Sequence, residues 1–231
     1  MQSFNSTLPV FSWNFNPGDD PNQGAFCVQI DDSPQFTSPE FTSGDMESSL
    51  TQWTPAGLDD GIWYWRISTR DTIGAWGNWS STGEFLLDHS PPSVDLAYPA
   101  GGDKLYGNVS IKVTASDSIS GISRVDFYYK LNAKYFFIGS RNETTANFFQ
   151  MYWDTSTLAE DTSYHIRVIG FNGVGLSRED KTHIFIEINR PDTPFVELLS
   201  PQGGENFSGD CEVRWRSFDK DTDEALQFRL A

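Results

Sequence analysis

Pro92-Ser93-Val94-Asp95-Leu96 and Pro194-Phe195-Val196-Glu197-Leu198 carry the same pattern, and the match runs on without a gap. Pro99 falls on Pro201, Gly101-Gly102 on Gly203-Gly204, and Gly107 on Gly209. The apolar alternation Val109, Ile111, Val113 falls on Cys211, Val213, Trp215, every pair 102 positions apart. Self-similarity at a fixed period marks repeated structural units, here the size of an ordinary domain. The 231 residues then divide into a domain at 1–88, a second at 89–190 and a partial third repeat at 191–231. The joints fall at Asp88-His89-Ser90-Pro91-Pro92 and Asn189-Arg190-Pro191-Asp192-Thr193-Pro194. Proline removes a ladder donor and stiffens the chain, so both read as short, semi-rigid links. The third unit is too short to close a core of its own. Alignment of Trp13 with Val113 puts the opening strand of the first domain about ten residues before Met1, so the chain reads as a piece of a longer array.

Within each unit the apolar residues alternate. Phe11, Trp13 and Phe15 share one face of a segment, and Phe26, Val28 and Ile30 share the next. Trp63, Trp65 and Ile67 alternate with Tyr64, Arg66 and Ser68; Val125, Phe127 and Tyr129, then Tyr164, Ile166 and Val168, do the same. Period-two faces separated by Gly, Asp, Asn and Pro predict antiparallel strands in sandwiches. With 18 Phe, 8 Trp and 8 Tyr against 3 Met, the composition also suits half-buried pleated surfaces. The fold expected is all-β: tandem antiparallel sandwiches without a long helix.

Charge narrows the partners. Thirty-two acidic residues against 16 basic ones give a net charge of −16, which repels phosphate backbones and excludes nucleic acid. No run reaches the roughly 18 apolar residues of a membrane span. The start Met1-Gln2-Ser3-Phe4-Asn5 shows no secretory signal. Five glycosylation sequons, at Asn5, Asn78, Asn108, Asn142 and Asn206, fall in or beside predicted turns and favour an extracellular, cell-surface setting. Two cysteines make no disulfide framework. Cys27, between Phe26 and Val28, is expected outward as a free thiol, and Cys211, in the place of Val109, inward.

Two stretches, Leu58-Asp59-Asp60-Gly61-Ile62-Trp63-Tyr64 and Leu158-Ala159-Glu160-Asp161-Thr162-Ser163-Tyr164, share a Leu-x5-Tyr spacing, each with a Trp five residues earlier, at Trp53 and Trp153. This resembles the corner of fibronectin type III and immunoglobulin-like domains, where a Leu enters the core and a Tyr hydroxyl bonds back to the turn. Asp60-Gly61-Ile62-Trp63-Tyr64-Trp65-Arg66-Ile67 and Ala115-Ser116-Asp117-Ser118-Ile119-Ser120-Gly121-Ile122 look like tandem modules of prokaryotic cell-surface proteins. In the first unit Trp63 is a candidate for the Tyr role, since its strand reaches Ile67 one residue sooner than the second reaches Val168. Trp76-Gly77-Asn78-Trp79-Ser80 resembles the WSxWS box of cytokine-receptor modules. That resemblance implies a structural ladder in which Arg66 and Arg70 stack with Trp76 and Trp79.

Catalysis needs convergent acid, base and nucleophile groups. His89, His165 and His183 have no Cys or carboxylate at metal-ligand spacing, and Gly101-Gly102 lacks the Lys and helix of a phosphate loop. No enzyme is expected. Asp219, Asp221 and Asp223 alternate in a loop and could supply oxygens to calcium, but the loop lacks the sixth-position Gly and twelfth-position Glu of an EF-hand. A solvated acidic turn is the competing reading; no other cofactor is implied. The function expected is a non-catalytic extracellular spacer or adhesion scaffold whose partners are other protein domains, copies of itself through strand addition, or glycans. The alternative is a carbohydrate-binding or receptor-like module, for which Tyr128, Tyr135 and Phe136 offer surface rings.

Overall fold

Alternating side chains become buried and exposed faces of strands in the computed structural model, which describes residues 2–5, 9–16, 18, 20–160, 162–182, 185–189 and 195–218. No helix occurs among them. The first unit contains β1 (Gln2–Phe4), β2 (Phe11–Ser12), β3 (Gln23–Asp31), β4 (Phe41–Thr42), β5 (Met46–Glu47), β6 (Gln52–Trp53), β7 (Gly61–Asp71) and β8 (Gly83–Leu87). One sheet runs β1-β8-β7-β3-β4, with β5 also on β3, and β2 pairs with β6 to make the other. The second unit contains β9 (Ser93–Tyr98), β10 (Lys104–Leu105), β11 (Asn108–Ser116), β12 (Ile122–Leu131), β13 (Lys134–Arg141), β14 (Phe149–Asp154), β15 (Ser163–Asn172), β16 (Ser177–Lys181) and β17 (Ile186–Ile188). Its sheets are β14-β11-β9 and β10-β17-β15-β12-β13, with β16 on β15. A hairpin of β18 (Phe195–Ser200) and β19 (Arg214–Phe218) follows.

The two sandwiches are built alike. β1 pairs in parallel with β8 as β10 does with β17, while the remaining pairs are antiparallel. Each has its own core. Phe11, Phe26, Val28, Ile30, Leu58, Trp63, Ile67, Phe85 and Leu87 fill the first. Val109, Ile111, Val113, Val125, Phe127, Phe149, Met151, Trp153, Tyr164, Ile166 and Val168 dominate the second, with Val94, Leu96 and Leu158 packed against it. At the corners, the Tyr164 hydroxyl donates to Ala159 O at 3.2 Å and the Trp63 indole N–H donates to Asp59 O at 2.9 Å. An indole thus does in one sandwich what a phenol does in the other.

Three details depart from the sequence reading. Phe11 pairs with Trp53 as Val109 pairs with Trp153, so Trp13 is the counterpart of Ile111, not of Val113. The chain between Phe4 and Phe11 is three residues longer than that between Leu105 and Val109, and this insertion displaces the alignment. A slip of two residues preserves the inward face, so Phe11 stays buried. Trp13, however, is half-buried and anchored by its indole N–H to Gln23 Oε1 at 2.9 Å. The second departure is Cys211, which is exposed rather than inward. Its hairpin has no facing sheet among the described residues, so Leu198 and Trp215 are exposed with it. Thirdly, Phe137 and not Phe136 is the exposed ring beside Tyr128. A bulge between Phe127 and Tyr128 shifts the register, and Phe136 stacks on Tyr129 at 4.9 Å. Cys27 is free and half-buried.

Candidate functional site

The chain leaves the first sandwich at Leu87 and is gripped at once. Asp88 N–H donates to Phe4 O at 3.1 Å, which ends the β8 edge beside β1. The Asp88 side chain is fully buried, because it enters the loops at the near end of the second sandwich. There its Oδ2 accepts from Ser120 Oγ at 2.5 Å and Asn172 Nδ2 at 2.9 Å, while Oδ1 accepts from Ser90 N–H at 3.0 Å. Asn172 Nδ2 also donates to Ser90 O at 3.0 Å and Asp117 Oδ2 at 3.1 Å. On the other side, Asp60 of the first sandwich accepts from His89 N–H at 2.8 Å and Ser90 Oγ at 3.0 Å, and meets His89 Nδ1 at 2.5 Å. Asn5 Nδ2 adds a contact to Val174 O at 3.2 Å. The three residues of the link are therefore held by side chains from both bodies.

The positions of these partners follow from local turn chemistry. Asn172 closes β15, and its Oδ1 accepts from Val174 and Leu176 N–H while Gly175 takes φ 87° to make the turn. Asp71 does the same at the end of β7, accepting from Ala75 N–H with Gly74 at φ 102°. A short polar side chain that bonds forward along its own backbone stabilises such turns. Burial alone would raise the Asp117 carboxyl. The hydrogen bonds from Ser120 N–H, the Asn172 amide, and Ile119 and Gly121 N–H outweigh that and hold it below the usual carboxylate range. Asp60 is lowered likewise, burial opposing and the His89 and Ser90 bonds prevailing. A depressed carboxyl contributes stability above its unfolded value, about 4, and loses it as pH falls through the folded value. Asp60 and Asp117 therefore contribute to the joint at neutral pH, and that contribution falls away as pH drops through their folded values.

The second feature lies on the outer face of the first sandwich. Arg66 Cζ sits 4.6 Å from the Trp79 ring and 4.3 Å from that of Phe36, and Arg70 Cζ sits 5.6 Å from Trp76. The Arg66 guanidinium also donates to Gln29 Oε1 at 2.9 and 2.7 Å, and Arg70 pairs with Glu47 at 2.5 Å. Backbone bonds fix the Trp segment to β7: Gly77 N–H to Thr69 O at 2.9 Å and Ser80 N–H to Ile67 O at 2.8 Å. Phe36 was not legible as a member, because its place depends on a residue at φ 50° in a loop thirty positions earlier. An Arg66→Ala, Trp79→Ala double-mutant cycle is expected to give a coupling of about 0.5–2 kcal/mol in chemical denaturation. Strictly additive losses would mean that the two groups do not interact.

The remaining sequence candidates lie apart from these sites. Asn5, Asn78, Asn108, Asn142 and Asn206 are all exposed. Asp219, Asp221 and Asp223 lie outside the described residues. Tyr135 is exposed on the outer face of the second sandwich, with Lys130 Nζ 5.6 Å and Arg167 Cζ 4.8 Å from its ring. The joint itself escaped sequence reading, since Asp88 and Asn172 are 84 positions apart. The one signal was the Asp in front of the paired prolines.

Residues 92–168 match the family model described as a bacterial Ig domain. No curated protein matches the chain. Among solved structures, the fibronectin(III)-like modules of Clostridium thermocellum CbhA are similar at 20% identity and TM-score 0.48, over 81% of this chain and 88% of that one. The chicken CNTN1 FN1-FN3 domains are similar at 14% identity and TM-score 0.34, over 93% and 81%. An α-L-rhamnosidase from Dictyoglumus thermophilum is similar at 13% identity and TM-score 0.37, over 78% of this chain but 27% of the enzyme, so the chain spans about a quarter of that protein. Strand order, the parallel β10–β17 edge, the Tyr164 corner and the family match agree. The chain is thus built of tandem, mostly antiparallel β-sandwiches, and within the second of them residues 92–168 are similar to the bacterial Ig domain family.

Proposed function

We propose that this chain is a non-catalytic extracellular spacer or adhesion scaffold of a cell-surface protein, with domains at 1–88 and 89–190 and a further repeat from 191. The observation that supports this reading is the joint. A freely swinging pair of domains needs only an exposed polar linker, whereas here a fully buried Asp88 is bonded to Ser120 and Asn172. Order of that kind serves distance and direction. Its partners in this reading are other protein domains or copies of itself, and a glycan-binding role would use the Tyr135 face instead. Backbone NMR relaxation tests the proposal: residues 20–88 and 95–182 are expected to report one shared tumbling time. Separate, shorter times for the two sandwiches would overturn it.

A further inference from the structure

Residues 1–88 carry twelve acidic side chains and two basic ones, Arg66 and Arg70. Both cations are committed: Arg66 to Gln29 and its two rings, Arg70 to Glu47. Yet the hairpin of β3 and β4 gathers three further carboxylates. Gln29 pairs with Thr42 and Ile30 with Phe41, so the next residues along, Asp31 and Glu40, face each other across the strands. Like charges set opposite one another destabilise a sheet. Asp32 joins them, and one oxygen from each of Asp31, Asp32 and Glu40 lies within 4.8 Å of the others.

A cluster of acids on a surface can be left to water, but this one reaches inside. Asp31 is 3% exposed. Its Oδ1 accepts from Ser33 N–H at 3.0 Å, while its Oδ2 is buried with no hydrogen-bond partner. An orphaned carboxylate oxygen costs more than an orphaned neutral group, and a bound ion is among the few ways to satisfy it. Glu40 is held in place by Asp32 N–H at 2.9 Å, which fixes the loop across the cluster.

We infer that Asp31, Asp32 and Glu40 form a calcium site that pins the β3–β4 loop of the first sandwich. Three hard oxygen donors on a loop suit Ca²⁺, which takes 6–8 oxygens in adaptable geometry and completes its shell with water. Mg²⁺ requires a stricter octahedron and gives up its waters reluctantly. Two of the three carboxylates are exposed, so the site belongs to the range of extracellular modules, with a dissociation constant on the order of 10⁻⁴–10⁻³ M.

The test uses the whole chain, stripped with a chelator and melted at constant ionic strength with and without 10 mM calcium chloride. The melting of the first sandwich is expected to rise by at least about 5 °C, with half the effect reached by about 1–2 mM. Magnesium chloride is expected to do less. Asp32 and Glu40 are exposed, so the Asp32→Asn, Glu40→Gln double variant should fold and melt normally without calcium, yet lose the response. No shift in the wild type, an equal shift with magnesium, or an undiminished shift in the double variant would each overturn the site. The last of these would point to the acidic run that begins at Asp219.

Discussion

Asp88→Ala is expected to uncouple the two sandwiches while leaving each of them folded. The side chain is fully buried and accepts from Ser120 Oγ, Asn172 Nδ2 and Ser90 N–H. Alanine removes all three acceptor contacts at once. Asn172 Nδ2 keeps two other oxygens, Ser90 O and Asp117 Oδ2, and can satisfy both its hydrogens there. Ser120 Oγ, which is half-buried, loses its acceptor, and leaving such a donor unpaired costs about 1–3 kcal/mol, whereas Ser90 is exposed and its N–H can turn to water. A loss of about 1–3 kcal/mol in coupling follows, read by calorimetry as one cooperative endotherm splitting into two. Asp88→Asn should fall between, since it keeps the shape but turns one acceptor into a donor. The equivalent residue at the next joint is Asn189, whose N–H donates to Leu105 O as that of Asp88 does to Phe4 O. An unaltered endotherm in Asp88→Ala would mean that the joint carries no coupling.

What could be read from the sequence was whatever repeats locally. The Leu-x5-Tyr spacing sets a corner within seven residues, so the Tyr164 bond to Ala159 was legible, as was the substitution of Trp63 for that Tyr. Inward faces were legible for the same reason: Val28, Ile30, Ile111, Val113, Ile166 and Val168 alternate without interruption. Errors arose where one strand's register depends on something elsewhere. The longer link before Phe11 displaced Trp13 by two positions, and the bulge beside Tyr128 exchanged Phe136 for Phe137 at the surface. Cys211 has the pattern of a core position, but burial also requires a second sheet to face. The Asp88 joint is assembled from loops of different hairpins, and the Asp31 cluster forms only because the register of β3 on β4 sets Asp31 opposite Glu40.

The largest single loss is expected from Phe127→Ala. Phe127 lies on β12, between β13 and β15, and its side chain is fully buried among Val125, Ile166 and Val168 of the same core. Removing a buried phenyl forfeits its transfer free energy and leaves a cavity that strands paired on both sides cannot collapse. Such truncations cost about 3–5 kcal/mol, enough to lower the melting of a domain this size by more than about 10 °C. Phe127→Leu keeps most of the volume and should lose far less. Phe137→Ala provides the control on the neighbouring strand, because that ring is 59% exposed and its removal should stay within about 0.5 kcal/mol. Trp13→Ala is expected to fall between the two. Its ring is only half-buried, but its loss leaves the buried Gln23 without the donor it meets at 2.9 Å. If Phe127→Ala and Phe137→Ala melted alike, β12 would have to present its other face to the core, because a one-residue slip exchanges every side chain between core and solvent.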